Sequence, residues 1–124
     1  AMVTDGGLER HLGHGTKGMA WAQVDLGEVR KLGNIRVWHF YRDGRSYLGN
    51  RLAVSATGKF AGEETVVFDS TKDGSYRETR DGRLFTFKPV DARYIRNWLS
   101  ENTVNSSTQW VEIEAYGPLP PKTK

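Results

Sequence analysis

The sequence predicts an all-β fold, an antiparallel β-sandwich made of short strands. Seven runs rich in β-branched and aromatic residues are separated by Gly, Asp-Gly or Pro. No window of helical length has apolar residues recurring with a period of about 3.6 residues. The 124 residues suit one domain, and a hydrophobic content of 37% is enough for one core.

Each predicted strand is bounded by turn residues, which fix where it ends. The first alternates apolar and polar residues and ends at Gly27, the second ends at Asp43-Gly44, and the fifth ends at Lys88-Pro89. Such residues interrupt a strand because they favour turns or lack a ladder donor. In chain order the predicted strands are Trp21–Leu26, Ile35–Tyr41, Leu52–Ser55, Thr65–Phe68, Leu84–Phe87, Ala92–Leu99 and Trp110–Tyr116.

One face of each strand is predicted to be buried, because side chains two residues apart point to the same side of a sheet. Packing these rows face to face forms the core of a sandwich. The predicted core pairs are Val24 with Leu26, Ile35 with Val37, Leu52 with Val54, and Val111 with Ile113. The folded module is expected over residues 3–117, and the Pro-rich segment 118–124 is expected to be an extended linker to further domains.

The composition argues against an enzyme. There is no cysteine, which excludes disulfides, thiol nucleophiles and thiolate metal sites. The chain has no Gly-x-Ser-x-Gly nucleophile elbow, no phosphate-binding Gly-rich fingerprint and no His-Glu-x-x-His motif. The carboxylate pairs Glu63/Glu64 and Glu112/Glu114 are not flanked by residues that would raise a pKa. We therefore do not expect an enzyme.

The charge is mildly basic, with a formal net charge of +3. This balance permits an acidic partner, although surface solvation explains it equally well. A nucleic-acid partner is not expected, because acidic residues interleave with the basic stretch Arg77, Arg80 and Arg83. No segment approaches the roughly 20 apolar residues of a membrane-spanning helix.

Five segments, in a fixed order along residues 3–117, carry a family resemblance. They are Trp21-Ala22-Gln23-Val24-Asp25-Leu26-Gly27, Asn34–Val37, Asn50–Ser55, Ala92–Arg96 and Glu112–Gly117. Together they resemble the discoidin family, also called the coagulation factor V/VIII type C domain, and its family 32-type carbohydrate-binding modules. The resemblance implies a galactose-binding-like jelly roll. In two places the chain departs from the pattern: the strand that usually precedes the Asp5-Gly6 loop is not evident, and residues 15–20 lack the usual sugar-stacking Trp.

The resemblance implies a non-catalytic carbohydrate-binding module within a larger secreted bacterial protein, either polysaccharide-active or located at the cell surface. The expected partner is a glycan or polysaccharide, neutral or acidic, and the module is expected to be monomeric. The alternative is a protein- or lipid-interaction module, because binders of all these ligands share the fold. Lipid binders of this fold carry apolar spikes on their loops, and here only Met19 and Tyr47-Leu48 offer apolar side chains there.

The loop from Tyr41 to Asn50 is the most informative candidate site. Its Arg can donate paired hydrogen bonds to hydroxyls or a carboxylate, its Asn both donates and accepts, and its Tyr offers a flat ring face. Arg42 and Asn50 match ligand-binding positions of the family, and the resemblance implies a loop His, either His14 or His11. The alternative is a solvated loop in which Arg42 or Arg45 pairs with Asp43. The predicted ligand-binding residues are His14, His39, Arg42, Arg45, Tyr47 and Asn50.

A structural calcium ion is the one cofactor that the resemblance implies. Asp5 and Glu112 match the family's ligand positions, and both supply the hard oxygen atoms that calcium prefers. The alternative is that Asp5 simply forms the Asp-Gly turn. Zinc is not expected, because His11 and His14 have no carboxylate or cysteine at a useful spacing.

Overall fold

The computed structural model describes residues 13–14, 20–39, 41–42, 44–102 and 110–118, with residues 13, 14, 101, 102, 110 and 111 described by backbone alone. Most of these residues lie in β-strands. The strands are β1 (Gly13–His14), β2 (Ala20–His39), β3 (Tyr47–Leu48), β4 (Arg51–Ser55), β5 (Thr65–Asp69), β6 (Arg83–Leu99), β7 (Glu101–Asn102) and β8 (Trp110–Tyr116). One helical turn, α1 (Ser70–Asp73), follows β5.

All the strand pairings are antiparallel. The main sheet runs β1-β2-β6-β4-β5, with β8 paired to β2, and β3 and β7 form a separate two-stranded ribbon. The prediction of an all-β antiparallel architecture is confirmed. No helix in the described ranges has the length and apolar character needed to cross a bilayer.

Strands β2 and β6 are much longer than predicted, because each fuses two predicted strands. The chain passes Gly27, whose φ is +85°, at a register shift between Asp25 and Arg30. Pro89 lies at a second shift, where Leu32 pairs with Val90 and Asn34 with Thr86. A bulge tolerates both a left-handed glycine and a proline without an N–H, so neither residue ends its strand.

These shifts let β2 bend around the core. Ala22 and Val37 belong to one hydrophobic cluster. In a straight strand these two residues would be about 50 Å apart, at about 3.3 Å per residue. The strand must therefore bend, so that both of its ends contribute to the same core.

The core contains the predicted core pairs wherever their side chains are described, together with further residues of β2, β6 and β8. Ile35, Val37, Leu52, Val54 and Ile113 are all at most 1% exposed. Val24 is buried, and Leu26 packs against the same cluster while partly buried. The side chain of Val111 lies outside the described part of the chain.

The end of the described chain crosses β2 at Gly33. A Cβ atom on Gly33 would lie 2.8 Å from the Cα of Pro118, which is too close for an unperturbed backbone. The Asn34 side-chain amide donates to the carbonyl of Gly117 at 3.3 Å next to this crossing. Glycine at position 33 thus permits the closing segment to lie directly on the sheet.

We predict that Gly33→Ala lowers the free energy of unfolding by about 1–3 kcal/mol, because the added methyl group overpacks against backbone. Urea denaturation measures this change. Gly117→Ala is the matched control, since its Cβ would lie 3.7 Å from the Lys31 carbonyl oxygen, an ordinary contact. Equal stability of the two variants would contradict the proposed close crossing.

Candidate functional site

The loop before β4 turns most of its predicted ligand-binding side chains inward. His39 is 0% exposed, Tyr47 1%, Asn50 3% and Arg45 5%. Arg42 is exposed to solvent, and His14 lies on β1, where only its backbone is described. The loop therefore presents Arg42 to solvent and withdraws four of the six predicted residues.

A hydrogen-bonded network explains this burial. His39 Nε2 lies 2.8 Å from Asn97 Oδ1, and the Asn97 amide donates to Asn50 Oδ1 at 2.7 Å and to the Arg51 carbonyl at 2.8 Å. The other ring nitrogen of His39, Nδ1, lies 3.1 Å from Glu78 Oε2. Burying polar groups costs free energy unless they are partnered. His39, Asn97 and Asn50 meet one another, whereas Glu78 Oε1 is buried without a hydrogen-bond partner among the described residues.

The same network ties a second segment to the loop. The Asn50 amide donates to the Tyr76 hydroxyl at 3.3 Å, and the Glu78 N–H donates to the Arg45 carbonyl at 2.9 Å. Burial, together with the negative charge of Glu78, raises the pKa of Tyr76 well above its usual value. Segment 74–82 and the loop before β4 thus form one connected unit.

In this unit Tyr47 packs on His39, with ring centroids 4.8 Å apart, and does not turn its ring face to solvent. Direct ligand contact by His39, Arg45, Tyr47 and Asn50 stays a prediction. In the structure they act instead as the internal support of the loop. The alternative of a solvated loop with an Arg–Asp43 pair is also untested, because Asp43 lies outside the described residues.

An open cleft of about 470 Å³ lies beside this unit. It is lined by Arg36, Trp38, Arg80 and Asp81. Arg36 and Trp38 point away from the core because they alternate along β2 with buried residues. A shallow, open site that combines an indole with several polar groups is a candidate for binding a polar ligand.

The geometry of segment 80–82 is set by Gly82. Its φ is +70°, and a Cβ atom there would lie 2.7 Å from the Val37 carbonyl oxygen and 2.9 Å from the Trp38 ring. The segment can therefore lie directly against the indole. Arg36 Nη1 donates to the Asp81 carbonyl at 2.8 Å, and its guanidinium lies 5.8 Å from the Trp38 ring centroid.

A second group of aromatic and basic side chains lies on the outer face of β2 and β6. The Arg96 guanidinium lies 4.0 Å from the Trp21 ring and 4.3 Å from the Phe60 ring, and it donates twice to Gln23 Oε1. Burial lowers the pKa of Arg96. Because these ring faces and donors meet one another, the group fixes the loop carrying Phe60 onto the sheet and offers less to a ligand than the cleft does.

Sequence reasoning missed the cleft. Alternation with Ile35 and Val37 does place Arg36 and Trp38 on the outer face of the predicted strand, so a signal was present. Arg80 was considered only as part of a basic stretch for nucleic acids. Its proximity to Trp38 depends on the path of a segment more than 40 residues away along the chain.

The calcium site stays a prediction. Glu112 lies partly buried on β8, opposite Trp38 on β2, whereas Asp5 lies outside the described residues. Within the described ranges no three or more His, Asp or Glu side chains cluster as metal ligands would. Nothing further about calcium follows from the fold.

Comparison with known proteins supports the fold. No family model matches the chain, and no curated protein matches it. The CBM32 of AlyQ, in complex with 4,5-unsaturated mannuronic acid, is similar with a TM-score of 0.66 and 21% identity, covering 92% of this chain and 82% of that one. A pectin binding carbohydrate binding module is similar with a TM-score of 0.64 and 19% identity, covering 88% and 74%.

A larger protein contains the same fold. The family 89 glycoside hydrolase CpGH89 from Clostridium perfringens is similar with a TM-score of 0.71 and 19% identity, covering 100% of this chain and 16% of that one. These likenesses confirm the prediction of an antiparallel β-sandwich of the galactose-binding-like type.

We predict that Asn97→Ala destabilises the domain by several kcal/mol. The substitution removes the partners of His39 and Asn50, and a buried polar group left unpaired costs about 1–3 kcal/mol. Thermal and urea unfolding measure the change. Ser100→Ala is the control, because its hydroxyl makes one exposed hydrogen bond, to the Leu48 carbonyl. A loss no larger than that of the control would show that the network contributes little.

Proposed function

We propose that this chain is a non-catalytic carbohydrate-binding module. The observation that carries the proposal is the cleft, where an indole ring lies beside two guanidinium groups and a carboxylate. A flat aromatic ring packs against the apolar face of a sugar, while guanidinium and carboxylate groups donate to and accept from its hydroxyls. The proposed ligands include neutral and acidic glycans.

The absence of catalysis is part of the proposal. Glycoside hydrolysis ordinarily needs two carboxylates flanking the scissile bond. Asp81 is the single carboxylate among the described residues that line the cleft. Similar structures named as carbohydrate-binding modules support a binding role as well.

The module is proposed to belong to a larger, secreted, polysaccharide-active protein. A truncated AlyQ with CBM32 and alginate lyase domains contains the same fold, and this chain covers 29% of its length. A shallow site gives weak binding, in the millimolar to micromolar range, because little of the cost of association is recovered. Linkage to a catalytic domain or to a second module raises the effective affinity.

The predicted site residues take two roles in this proposal. Arg42, exposed on the loop that the buried network supports, is proposed to extend the site beyond the cleft, and ligand contact by His14 stays a prediction. His39, Arg45, Tyr47 and Asn50 hold that loop in place. A ligand therefore meets Trp38 and the exposed basic side chains first.

The rival function is lipid or protein binding. The exposed large apolar residues in the described ranges are Val29, Leu48, Val66 and Leu84, and they lie on three strands and a ribbon rather than on one loop surface. Membrane insertion needs clustered apolar side chains. Pelleting with anionic vesicles, without any glycan binding, would favour the rival.

We predict that Trp38→Ala lowers glycan affinity at least about tenfold, because it removes the stacking surface of the cleft. Trp38→Phe, which keeps a flat ring, retains most of the affinity.

We predict that Arg42→Ala loses about 1.5–3 kcal/mol of glycan-binding free energy for each charge-assisted hydrogen bond, whereas its free energy of unfolding changes by less than about 0.5 kcal/mol. A glycan array identifies the ligand, and isothermal titration calorimetry measures the variants.

Val66→Ala, which removes an exposed apolar side chain on β5, is the control for these variants. If Trp38→Ala binds the glycan as well as the parent protein, the cleft is not the site. If Arg42→Ala alone abolishes binding, the site lies on the loop before β4.

A further inference from the structure

We infer that the glycan bound in the cleft carries a carboxylate group, held between the guanidinium groups of Arg36 and Arg80. The inference rests on the proposed function and narrows its ligand class to uronic-acid glycans. It comes from the side chains that line the cleft, namely the cations Arg36 and Arg80, the anion Asp81 and the Trp38 ring. Glu114 and Glu112 lie opposite Arg36 and Trp38 on β8 and are not part of the lining, so the inference rests on the two arginines of the cleft and not on a net charge of this face.

Arg36 is held in place before any ligand arrives. One of its five N–H groups donates to the Asp81 carbonyl at 2.8 Å, and its guanidinium stays near the Trp38 ring. Glu114 lies opposite it on β8, but the Glu114 carboxylate accepts a hydrogen bond from the Tyr116 hydroxyl and makes no ion pair with Arg36 within the described residues. Arg36 therefore keeps charge and donors for an incoming anion.

Arg80 differs from the two arginines that flank it in sequence. Arg77 lies against Gly44, whose Cβ position would be 2.7 Å from its guanidinium, and Arg83 lies 4.8 Å from the Tyr76 ring centroid. Arg80 is exposed and makes neither an ion pair nor a ring contact with the rest of the described chain. It is therefore the basic side chain of this segment that is available to a ligand.

Asp81 makes the site selective for a sugar acid over a simple anion. Its carboxylate lines the cleft and accepts hydrogen bonds from hydroxyl groups, whereas it repels a second negative charge. Trp38 supplies the surface for the pyranose ring. A ligand that uses all four side chains has one anionic group, several hydroxyls and an apolar ring face, which describes a uronic acid.

The test compares matched ligands that differ only in charge. Short oligomers of galacturonate and of mannuronate are each compared with their carboxyl-reduced, neutral counterparts by isothermal titration calorimetry. The parent protein is expected to bind at least one acidic oligomer about tenfold or more tightly than its neutral counterpart. Affinity for the acid should fall as ionic strength rises, and affinity for the neutral sugar should not.

Variants at Arg80 locate the effect. Arg80→Gln should weaken binding of the acid about 10- to 100-fold and binding of the neutral oligomer less than about threefold, with an unchanged melting temperature. The affinity of Arg80→Lys for the acid should lie between those of the parent protein and Arg80→Gln, because lysine keeps the charge but loses the paired donors. Arg30→Gln is the control, since it removes the same charge from β2, six residues before Arg36, at an exposed pair with Glu28.

The outcomes separate the inference from the proposed function. Equal affinity for acidic and neutral oligomers, or binding of neutral glycans alone, overturns the inference and leaves a carbohydrate-binding module. Absence of binding to these oligomers and to a glycan array overturns both. An equal loss in Arg80→Gln and Arg30→Gln, or equal binding of a glycan that carries sulfate groups and no carboxylate, shows general attraction of anions and overturns the carboxylate site.

Discussion

The hydrogen bond between His39 and Asn97 is the interaction on which the arrangement of the loop before β4 and of the neighbouring cleft depends. It joins β2 to β6 inside the fold, and the Asn97 amide carries the connection on to Asn50 and to the start of β4. Buried polar groups in a low-dielectric interior are costly when unpaired and specific in geometry when paired. The network therefore fixes both the end of β2 and the loop that follows it.

This constraint has a direct consequence for the cleft. Trp38 precedes His39, and the alternation of a strand sends their side chains to opposite faces. Holding His39 inside holds the Trp38 indole on the outer face of the sheet. Gly82 then allows the segment carrying Arg80 and Asp81 to lie against that indole. Under the proposed function, this preorganisation reduces the conformational entropy lost when a weak ligand binds.

The sequence was informative about the fold and less so about the site, for physical reasons. Alternation identified Ile35, Val37, Leu52, Val54 and Ile113 as core, because burial on one sheet face imposes a period of two. Gly27 and Pro89 predict strand ends, yet both lie at register shifts within continuous strands, where the partner strand decides what is tolerated. The local sequence does not indicate which distant strand will pair at these positions.

Burial of loop residues was harder to predict, because a loop has no regular alternation of buried and exposed side chains. Tyr47 and Asn50 have polar groups suited to a ligand and equally suited to the buried network that contains Asn97. The two groups in which an arginine lies near a tryptophan also show that residue types alone do not reveal a binding role. Arg96 meets Trp21 and Gln23, whereas Arg80 lies in the cleft near Trp38 without such partners among the described residues. The difference lies in their neighbours and not in their residue types.

The central claim, that a sugar acid binds against Trp38, is tested most directly by the indole N–H signals in a ¹⁵N–¹H correlation spectrum. The chain has four tryptophans, Trp21, Trp38, Trp98 and Trp110, so the spectrum contains four such signals. Titration with a binding oligouronate should shift the Trp38 signal progressively and leave those of Trp21 and Trp98 in place. Shifts of Trp21 or Trp98 with Trp38 unchanged would contradict the account and move the site to the outer face of β2 and β6.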